Sequence, residues 1–422
     1  MINIIDKKDC VGCNACVQRC PKQCISMHED EQGFLYPVVN LDECVDCHLC
    51  EKICPVINQG EPREPLATFA AKNPDDEVRM SSSSGGIFFA LAKTIIDEGG
   101  VVFGAKFNEN WDVVHDYAET IEGVRAFQGS KYVQSRIGET FIQVESFLKV
   151  GRRVMFTGTP CQIAALSLFL RKDYGDQLLR VDVVCHGVPS PLIWCDYMNY
   201  IARPEGASAG KNTVFSSLKE KPVITGMSFR DKRLGWEKYG FSARVAASKA
   251  SGKNSVFQPV NIYPENIKGE VEFIYEPFTQ NLYMQGFLKD LYLRPSCYAC
   301  PVKQLKSGSD ITLADFWGIG YIDKDLYGSD GYKGISLVLV NTEKGRRLMM
   351  RFRDWLIAEP YLSAVRYNSA IVKSACKPKY YRLFWKKYDS DGIGAIGQIV
   401  KKMKLTFLFR GINFIKRFFL FL

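Results

Sequence analysis

Cys10-Val11-Gly12-Cys13-Asn14-Ala15-Cys16-Val17-Gln18-Arg19-Cys20-Pro21 is repeated as Cys44-Val45-Asp46-Cys47-His48-Leu49-Cys50-Glu51-Lys52-Ile53-Cys54-Pro55, 34 residues further on. Two CxxCxxCxxxCP runs are the spacing by which a bacterial two-cluster ferredoxin holds a pair of [4Fe-4S] clusters. Three thiolates on one tight loop can cap three irons of a cubane, and the fourth is better placed on the other copy. The expected ligand sets are therefore Cys10, Cys13, Cys16 and Cys54 for one cluster, and Cys44, Cys47, Cys50 and Cys20 for the other. A zinc ribbon would use two CxxC pairs rather than a triplet followed by Cys-Pro. Cys24 has no counterpart in the second copy, where Asn58 stands, and reads as a small buried residue.

Working outward, a chain of 422 residues is too long for this module alone and implies further domains. Hydrophobic residues at 46% and charged residues at 24% suit a globular protein with a substantial core. Nine of the fifteen cysteines precede residue 55, and the chain opens without a charged-then-apolar leader, so cysteine usage points to reducing cytoplasm rather than to disulfides. No apolar run approaches the roughly 18 residues of a spanning helix. Of the net charge of +9, six positive charges lie in residues 397–422 with no acidic residue, which leaves +3 for the rest. The nearly balanced body and the absence of zinc-finger spacing argue against nucleic-acid binding.

From Leu66 the pattern becomes alternating strands and helices. Ser81-Ser82-Ser83-Ser84-Gly85-Gly86 precedes a helical pattern of Ile87, Phe88, Leu91, Ile95 and Ile96 that Gly99-Gly100 stops. Val101 to Ala105, Val154 to Thr157 and Val181 to Val184 read as strands, so the body is expected to be α/β. Residues 206–269, richer in turn and β-branched residues, read as an irregular or antiparallel insertion. The serine-glycine loop has the free amides and hydroxyls of a phosphate cradle, and equally those of an ordinary N-cap. Cys161 and Cys185 follow two strands expected to be neighbours, and Cys297-Tyr298-Ala299-Cys300 supplies a CxxC pair. These four thiols could form one site, or could be two buried thiols and an isolated pair.

At these residues the chain resembles the family of the beta subunit of coenzyme F420 hydrogenases and dehydrogenases, flavoproteins that include a ferredoxin-dependent chlorophyll-pathway reductase. The carrying segments are Ser82 to Gly86, Gly129 to Ser135, Phe156 to Gln162, Val184 to Ser190, Ser228 to Lys232 and Asp310 to Gly318, within about residues 66 to 320. The resemblance implies an FAD in the α/β body and a third [4Fe-4S] cluster with Cys161, Cys185, Cys297 and Cys300 as its candidate ligands. It also implies that Ser84, Gly85, Gly86 and Lys131 lie near flavin or substrate phosphates. Lys131 and Arg230 are candidates to meet anionic groups, and no catalytic side chain is identified.

The expected architecture is an α+β two-cluster ferredoxin domain (1–60), an α/β flavin-binding domain with an irregular insertion (66–375), and a basic, aromatic tail (376–422). The expected activity is electron passage between ferredoxin-type clusters and a hydride-exchanging substrate, coenzyme F420 or a related carrier, with ferredoxin or another redox protein as partner. The alternative is a relay subunit with no small substrate of its own. Within 405–422, Arg410, Asn413, Lys416 and Arg417 form one helical stripe among Phe, Leu and Ile residues, which predicts a peripheral contact with the inner face of a membrane.

Overall fold

The computed structural model describes residues 1–202, 223–246 and 271–419. Both cysteine repeats share one backbone conformation: Gly12 (φ 70°) matches Asp46 (φ 50°), and Asn14 (φ 60°) matches His48 (φ 58°). Alternating left-handed residues turn successive N–H groups toward one point, the arrangement that suits an anionic group. Gly12 N accordingly donates to Cys10 Sγ at 3.4 Å. A short helix leaves each loop, Ala15–Arg19 in the first and Leu49–Lys52 in the second. Between the repeats, β1 (Ile25–Glu29) and β2 (Leu35–Val39) pair antiparallel with Ile25 opposite Val39, and Phe34 at their turn is fully buried.

The module is seated on the body by polar contacts. Asn14 Nδ2 donates to Gly138 O at 2.7 Å. Gln18 Oε1 accepts from Phe141 N and Ile142 N, two of the free amides that open the helix Thr140–Lys149. Arg19 pairs with Glu145 at 3.1 Å and lies over the Phe169 ring.

In the body, β3 (Ala67–Ala71), β4 (Val101–Phe107), β5 (Val113–Ala118), β6 (Val154–Gly158) and β7 (Leu178–Val183) come first. Next come β8 (Val223–Asp231), β9 (Gly240–Ala246) and β10 (Val271–Pro277), followed by β11 (Ile311–Asp315), β12 (Ser336–Val340) and β13 (Leu356–Ala358). Eight of them form one sheet in the order β13-β3-β12-β11-β7-β6-β4-β5. The inner strands β11, β7, β6 and β4 run parallel, and the flanking pairs are antiparallel. Parallel strands covered on both faces need unbroken apolar runs. Val101, Val102 and Phe103, and likewise Val154, Met155 and Phe156, are fully buried. The helix Ile87–Asp97 starts at Gly86, whose φ of 84° makes glycine the residue for that cap. Because β6 and β7 are parallel neighbours, with Thr157 opposite Val181, the chain leaves both at the same sheet edge toward Cys161 and Cys185.

The antiparallel reading of the insertion agrees with a separate sheet ordered β10-β9-β8, although residues 203–222 and 247–270 lie outside the described residues. The carboxyl end differs from its reading. Helices Tyr381–Asp391 and Gly394–Phe419 bring Phe384, Ala395, Ile396, Ile399 and Val400 into the same buried cluster as Tyr283, Phe287 and Tyr292. Residues 381–400 are therefore body rather than tail. Composition registers the excess lysines but not the opposite, apolar face of the same helices. Side chains beyond Thr406, and with them the expected stripe within 405–422, lie outside the described residues. Among the described residues no helix is long and apolar enough to cross a membrane.

Candidate functional site

Three cavities collect thirteen of the cysteines, four candidate ligands in each and Cys24 besides. Cys10, Cys13, Cys16 and Cys54 line the first, together with Val11 and Ala15. Cys20, Cys44, Cys47 and Cys50 line the second, so in each case the fourth thiol comes from the other repeat. Cys24, 5% exposed, also lines this second cavity, 3.4 Å from Cys20 Sγ. The third cavity is in the body and is lined by Cys161, Cys185, Cys297 and Cys300.

Local structure explains how four distant residues meet there. Cys161 is in the first turn of the helix Pro160–Leu170, opened by Pro160 and fixed by Thr159 N donating to Gln162 Oε1 at 2.9 Å. Cys185 follows β7, and its carbonyl accepts from Lys303 Nζ at 2.7 Å. Cys297 lies within the single turn Pro295–Ala299 and Cys300 caps its end, with Cys300 N donating to Ser374 Oγ at 3.0 Å. Val188 N donates to Cys297 Sγ at 3.4 Å and Thr159 Oγ1 lies 3.2 Å from Cys161 Sγ, contacts that cluster ligands commonly receive.

Burial pushes the Cys161 thiol up to about 12 and the Cys185 thiol to about 11, with neighbouring thiols adding to the effect at Cys161. Protonated thiols become ligands only by releasing protons to a bound cation. Among the described residues no three His, Cys, Asp or Glu side chains converge as closely as a single ion requires. Four thiols ringed around a cavity, with hydrogen-bond donors to the sulfurs, fit a polynuclear cluster.

A fourth cavity lies beside the serine loop and is lined by Ser81, Ser82, Ser83, Gln128, Ser130, Lys131 and Arg230, with Phe107, Trp111 and Phe229 as apolar wall. Ser83 Oγ accepts from Ser130 N at 2.6 Å, and Gln128 Nε2 donates to Ser82 Oγ at 3.3 Å. Gln128 Oε1 and Arg230 Nε are buried without a hydrogen-bond partner. Buried polar atoms are ordinarily satisfied, so such atoms at a cavity wall mark a place for a polar ligand. Lys131 Nζ donates to the carbonyls of Ala126, Gln128 and Gly129 at 2.9, 2.9 and 3.2 Å. Burial lowers its ammonium to about 7, while three carbonyls that engage all three N–H donors oppose the loss of the proton.

Family models match two parts of the chain. Residues 9–58 match the 4Fe-4S dicluster domain, and residues 151–205 and 240–359 match the C terminus of the beta subunit of coenzyme F420 hydrogenase/dehydrogenase. The chain carries a 4Fe-4S dicluster domain and a coenzyme F420 hydrogenase/dehydrogenase beta-subunit segment. Among solved structures, a chain of the F420-reducing [NiFe] hydrogenase complex from Methanosarcina barkeri is similar at 16% identity. That likeness covers 80% of this chain and 92% of the other, with a TM-score of 0.41. No curated protein matches. The beta-subunit segment includes Cys161, Cys185, Cys297 and Cys300, whereas the serine loop and Lys131 lie outside it.

The structure distributes the remaining expected residues unevenly. Lys131 faces the fourth cavity, but Ser84, Gly85 and Gly86 do not line it. Ser84 Oγ donates to Ile335 O at 2.8 Å and Gly85 N to Ser336 Oγ at 2.9 Å, so this end of the loop is anchored on β12 and its approach. A Cβ on Gly85 would come within 2.4 Å of Ala71 O, which gives that glycine a packing role. Ser81, Ser82 and Ser83 take the wall position instead. Arg230 lines the cavity, yet both of its Nη atoms bind Asp315, at 2.8 and 3.1 Å, so its charge is already matched. The sequence reading missed Gln128 and Arg294, which carry no motif and reach their sites only through the fold.

Proposed function

We propose that this chain is an iron-sulfur flavoprotein oxidoreductase, with a [4Fe-4S] cluster in each of the three thiol cavities and FAD in the cavity of Ser82, Ser83 and Lys131. It passes electrons between a ferredoxin-type redox protein and a hydride-exchanging carrier of the coenzyme F420 type. The observation that carries this reading is that the four body thiols line one cavity, which shares Val11 with the cavity of Cys10, Cys13, Cys16 and Cys54. When bound, a flavin exchanges electrons in pairs as hydride and singly with clusters that each take one.

The protein's own part is placement. Between the flavin cavity and the body thiols, Tyr132 accepts from Arg230 Nη1 at 3.2 Å and stacks on Phe287 at 4.9 Å. Phe287 in turn meets His186, the neighbour of Cys185, edge-on at 5.4 Å. At the outer end, Cys47 is exposed beside Leu41 and Val45, 63% and 57% exposed, and beside Asp42 and Glu43. An apolar patch with an acidic rim suits docking of a redox protein whose rim is basic.

Lys131 supports an anionic ligand through its charge, since its N–H groups are already engaged. A bound pyrophosphate raises its affinity for the proton, so FAD binding takes up protons above about pH 7 and weakens as pH rises beyond that point. Calorimetry in two buffers of different ionisation enthalpy reads this uptake. Lys131→Met should abolish it, and uptake identical in the variant would remove Lys131 from the site.

A relay subunit without its own small substrate is the second reading. It is favoured by the neutralisation of Arg230, which leaves Lys131 as the uncompensated cation among the described residues lining the cavity: charge for one anionic ligand but not for two. Anaerobic mixing of the flavin-loaded protein with reduced coenzyme F420 or other hydride donors, followed optically, separates the two. Bleaching of the flavin supports the oxidoreductase. No bleaching by any donor, with reduction by a ferredoxin intact, supports the relay.

The end of the helix Gly394–Phe419 is part of the same proposal, as an anchor on an anionic membrane surface. Lys401, Lys402 and Lys404 are exposed at its described end. Vesicles containing anionic lipid should sediment the full chain but not one ending at Val400, which lacks these lysines, and added salt should release it. Equal sedimentation of both chains would reject the anchor.

A further inference from the structure

We infer that Arg294 is the charge-setting residue between the Cys10 cavity and the body thiol cavity, holding the potentials of the two clusters above the values they would have without it. The inference rests on the proposed cluster assignment and goes beyond it. Arg294 is 1% exposed. Its Nε donates to Cys10 O at 2.8 Å, its Nη2 to Leu35 O at 2.9 Å and toward Cys10 Sγ at 3.6 Å, and its Nη1 to Gln134 Oε1 at 3.1 Å. The Tyr36 ring covers it at 4.4 Å. Its other side lines the cavity of Cys161 and Cys297.

Among the described residues Arg294 forms no ion pair with an Asp or Glu; its N–H groups go to two backbone carbonyls, a side-chain amide and a thiol. A buried cation without a counter-charge is costly, and structures retain one where an anion is close. The anions available here are thiolate-ligated clusters, which carry net negative charge and gain one more on reduction. A fixed positive charge between two such groups stabilises their reduced forms, because net charge and hydrogen bonds to sulfur set cubane potentials.

Gly12 gives independent support. A Cβ at Gly12 would lie 2.7 Å from Arg294 Nη1, 2.8 Å from its Cζ and 2.8 Å from Gln134 Nε2. Its φ of 70° does not by itself demand glycine, since Asp46 holds the matching position of the second repeat at φ 50° with a full side chain. Glycine is needed in the first repeat because the guanidinium occupies that space. At the matching position of the second repeat the neighbouring cation is the exposed amino terminus, paired with Asp46 Oδ1 at 3.0 Å, and Cys50 Sγ accepts from the backbone N of Ile2 at 3.1 Å.

The test is an anaerobic potentiometric titration followed by electron paramagnetic resonance on the full chain, with signals assigned through Cys13→Ala and Cys47→Ala variants. Arg294→Gln should lower the one-electron reduction equilibrium of the Cys10 cluster by about tenfold, or about 59 mV, and move the body cluster in the same direction. Arg294→Lys should recover most of the shift, and the Cys44 cluster should stay within about twofold. Gly12→Ala, which keeps the charge but displaces it, should give a smaller shift of the same sign. Unchanged potentials in Arg294→Gln, or equal shifts at all clusters, would overturn the inference. If Arg294→Gln does not retain its iron, Gly12→Ala decides: a shift confined to the Cys10 and body signals supports the inference and none overturns it. Iron analysis of the unaltered chain tests the three-cluster reading separately, since a missing body cluster leaves the Cys10 measurement intact.

Discussion

Replacing Cys297 or Cys300 by Ser in the full chain lowers iron and acid-labile sulfide from about twelve of each per chain to about eight, while the signals of the two amino-terminal clusters persist. The expectation follows from geometry that separates the body thiols from the ferredoxin-type loops. Cys297 and Cys300 sit on one turn whose neighbours are Val188 N and Ser374 Oγ. The amino-terminal thiols are held by their own paired loops and by the β1-β2 hairpin. Serine is close to isosteric and donates a hydrogen bond, so the turn should survive the exchange while a sulfur ligand is lost. Anaerobic iron and sulfide analysis with low-temperature spectroscopy reads the result. An iron count of eight in the unaltered chain, or no change in either variant, removes the body cluster and leaves the module to act alone.

Asp315→Ala carries the second large effect, on stability. Arg230 is 4% exposed, with its guanidinium held by both oxygens of Asp315 and covered by the Tyr239 ring at 4.0 Å. Trp236, fully buried, donates from Nε1 to Asp315 Oδ1 at 2.7 Å and stacks on Trp317 with ring centroids 5.0 Å apart. Removing the carboxylate strands a buried cation and an indole donor together. Breaking a buried pair in this way costs about 3–5 kcal/mol, whereas replacing both partners by apolar residues is often close to neutral. Urea denaturation of the cofactor-loaded protein should therefore place the Asp315→Ala midpoint well below that of an Arg230→Met/Asp315→Leu double variant. A cost below about 1 kcal/mol in the single variant would mean that the pair is effectively solvated, as at an exposed site. Arg230 would then be available to a cavity ligand.

The contrast between Arg230 and Lys131 marks where sequence reading stops. Both were legible as cations near short motifs, and both line one cavity. Which of them keeps its charge free depends on Asp315, 85 residues away along the chain, and on the carbonyls of Ala126, Gln128 and Gly129. The serine-glycine loop divides in the same way. Its existence before a helix is local information, but which of its residues face a cavity follows from β12, whose Ser336 claims Gly85. At the carboxyl end, a basic and aromatic composition reads as a tail over 376–422, whereas the apolar faces of Tyr381–Asp391 and of the start of Gly394–Phe419 are buried in the body, because burial depends on a partner surface that composition does not contain.

By itself the sequence determined what depends on short spacing and on periodicity. A cubane needs three thiolates within one tight loop, so the CxxCxxC triplets are readable from the chain alone, and buried parallel strands need unbroken apolar runs such as Val154, Met155 and Phe156. Only the tertiary structure decided the meeting of Cys161, Cys185, Cys297 and Cys300, the seat of Arg294 against Gly12, and the pairing of Arg230 with Asp315. Each of these is a contact between residues far apart in sequence, made by the order in which strands enter the sheet and by the docking of the cysteine module on the helices Thr140–Lys149 and Pro160–Leu170. Local chemistry is written in adjacent residues. The electrostatic partners of a buried charge are set by whatever surface the fold closes over it.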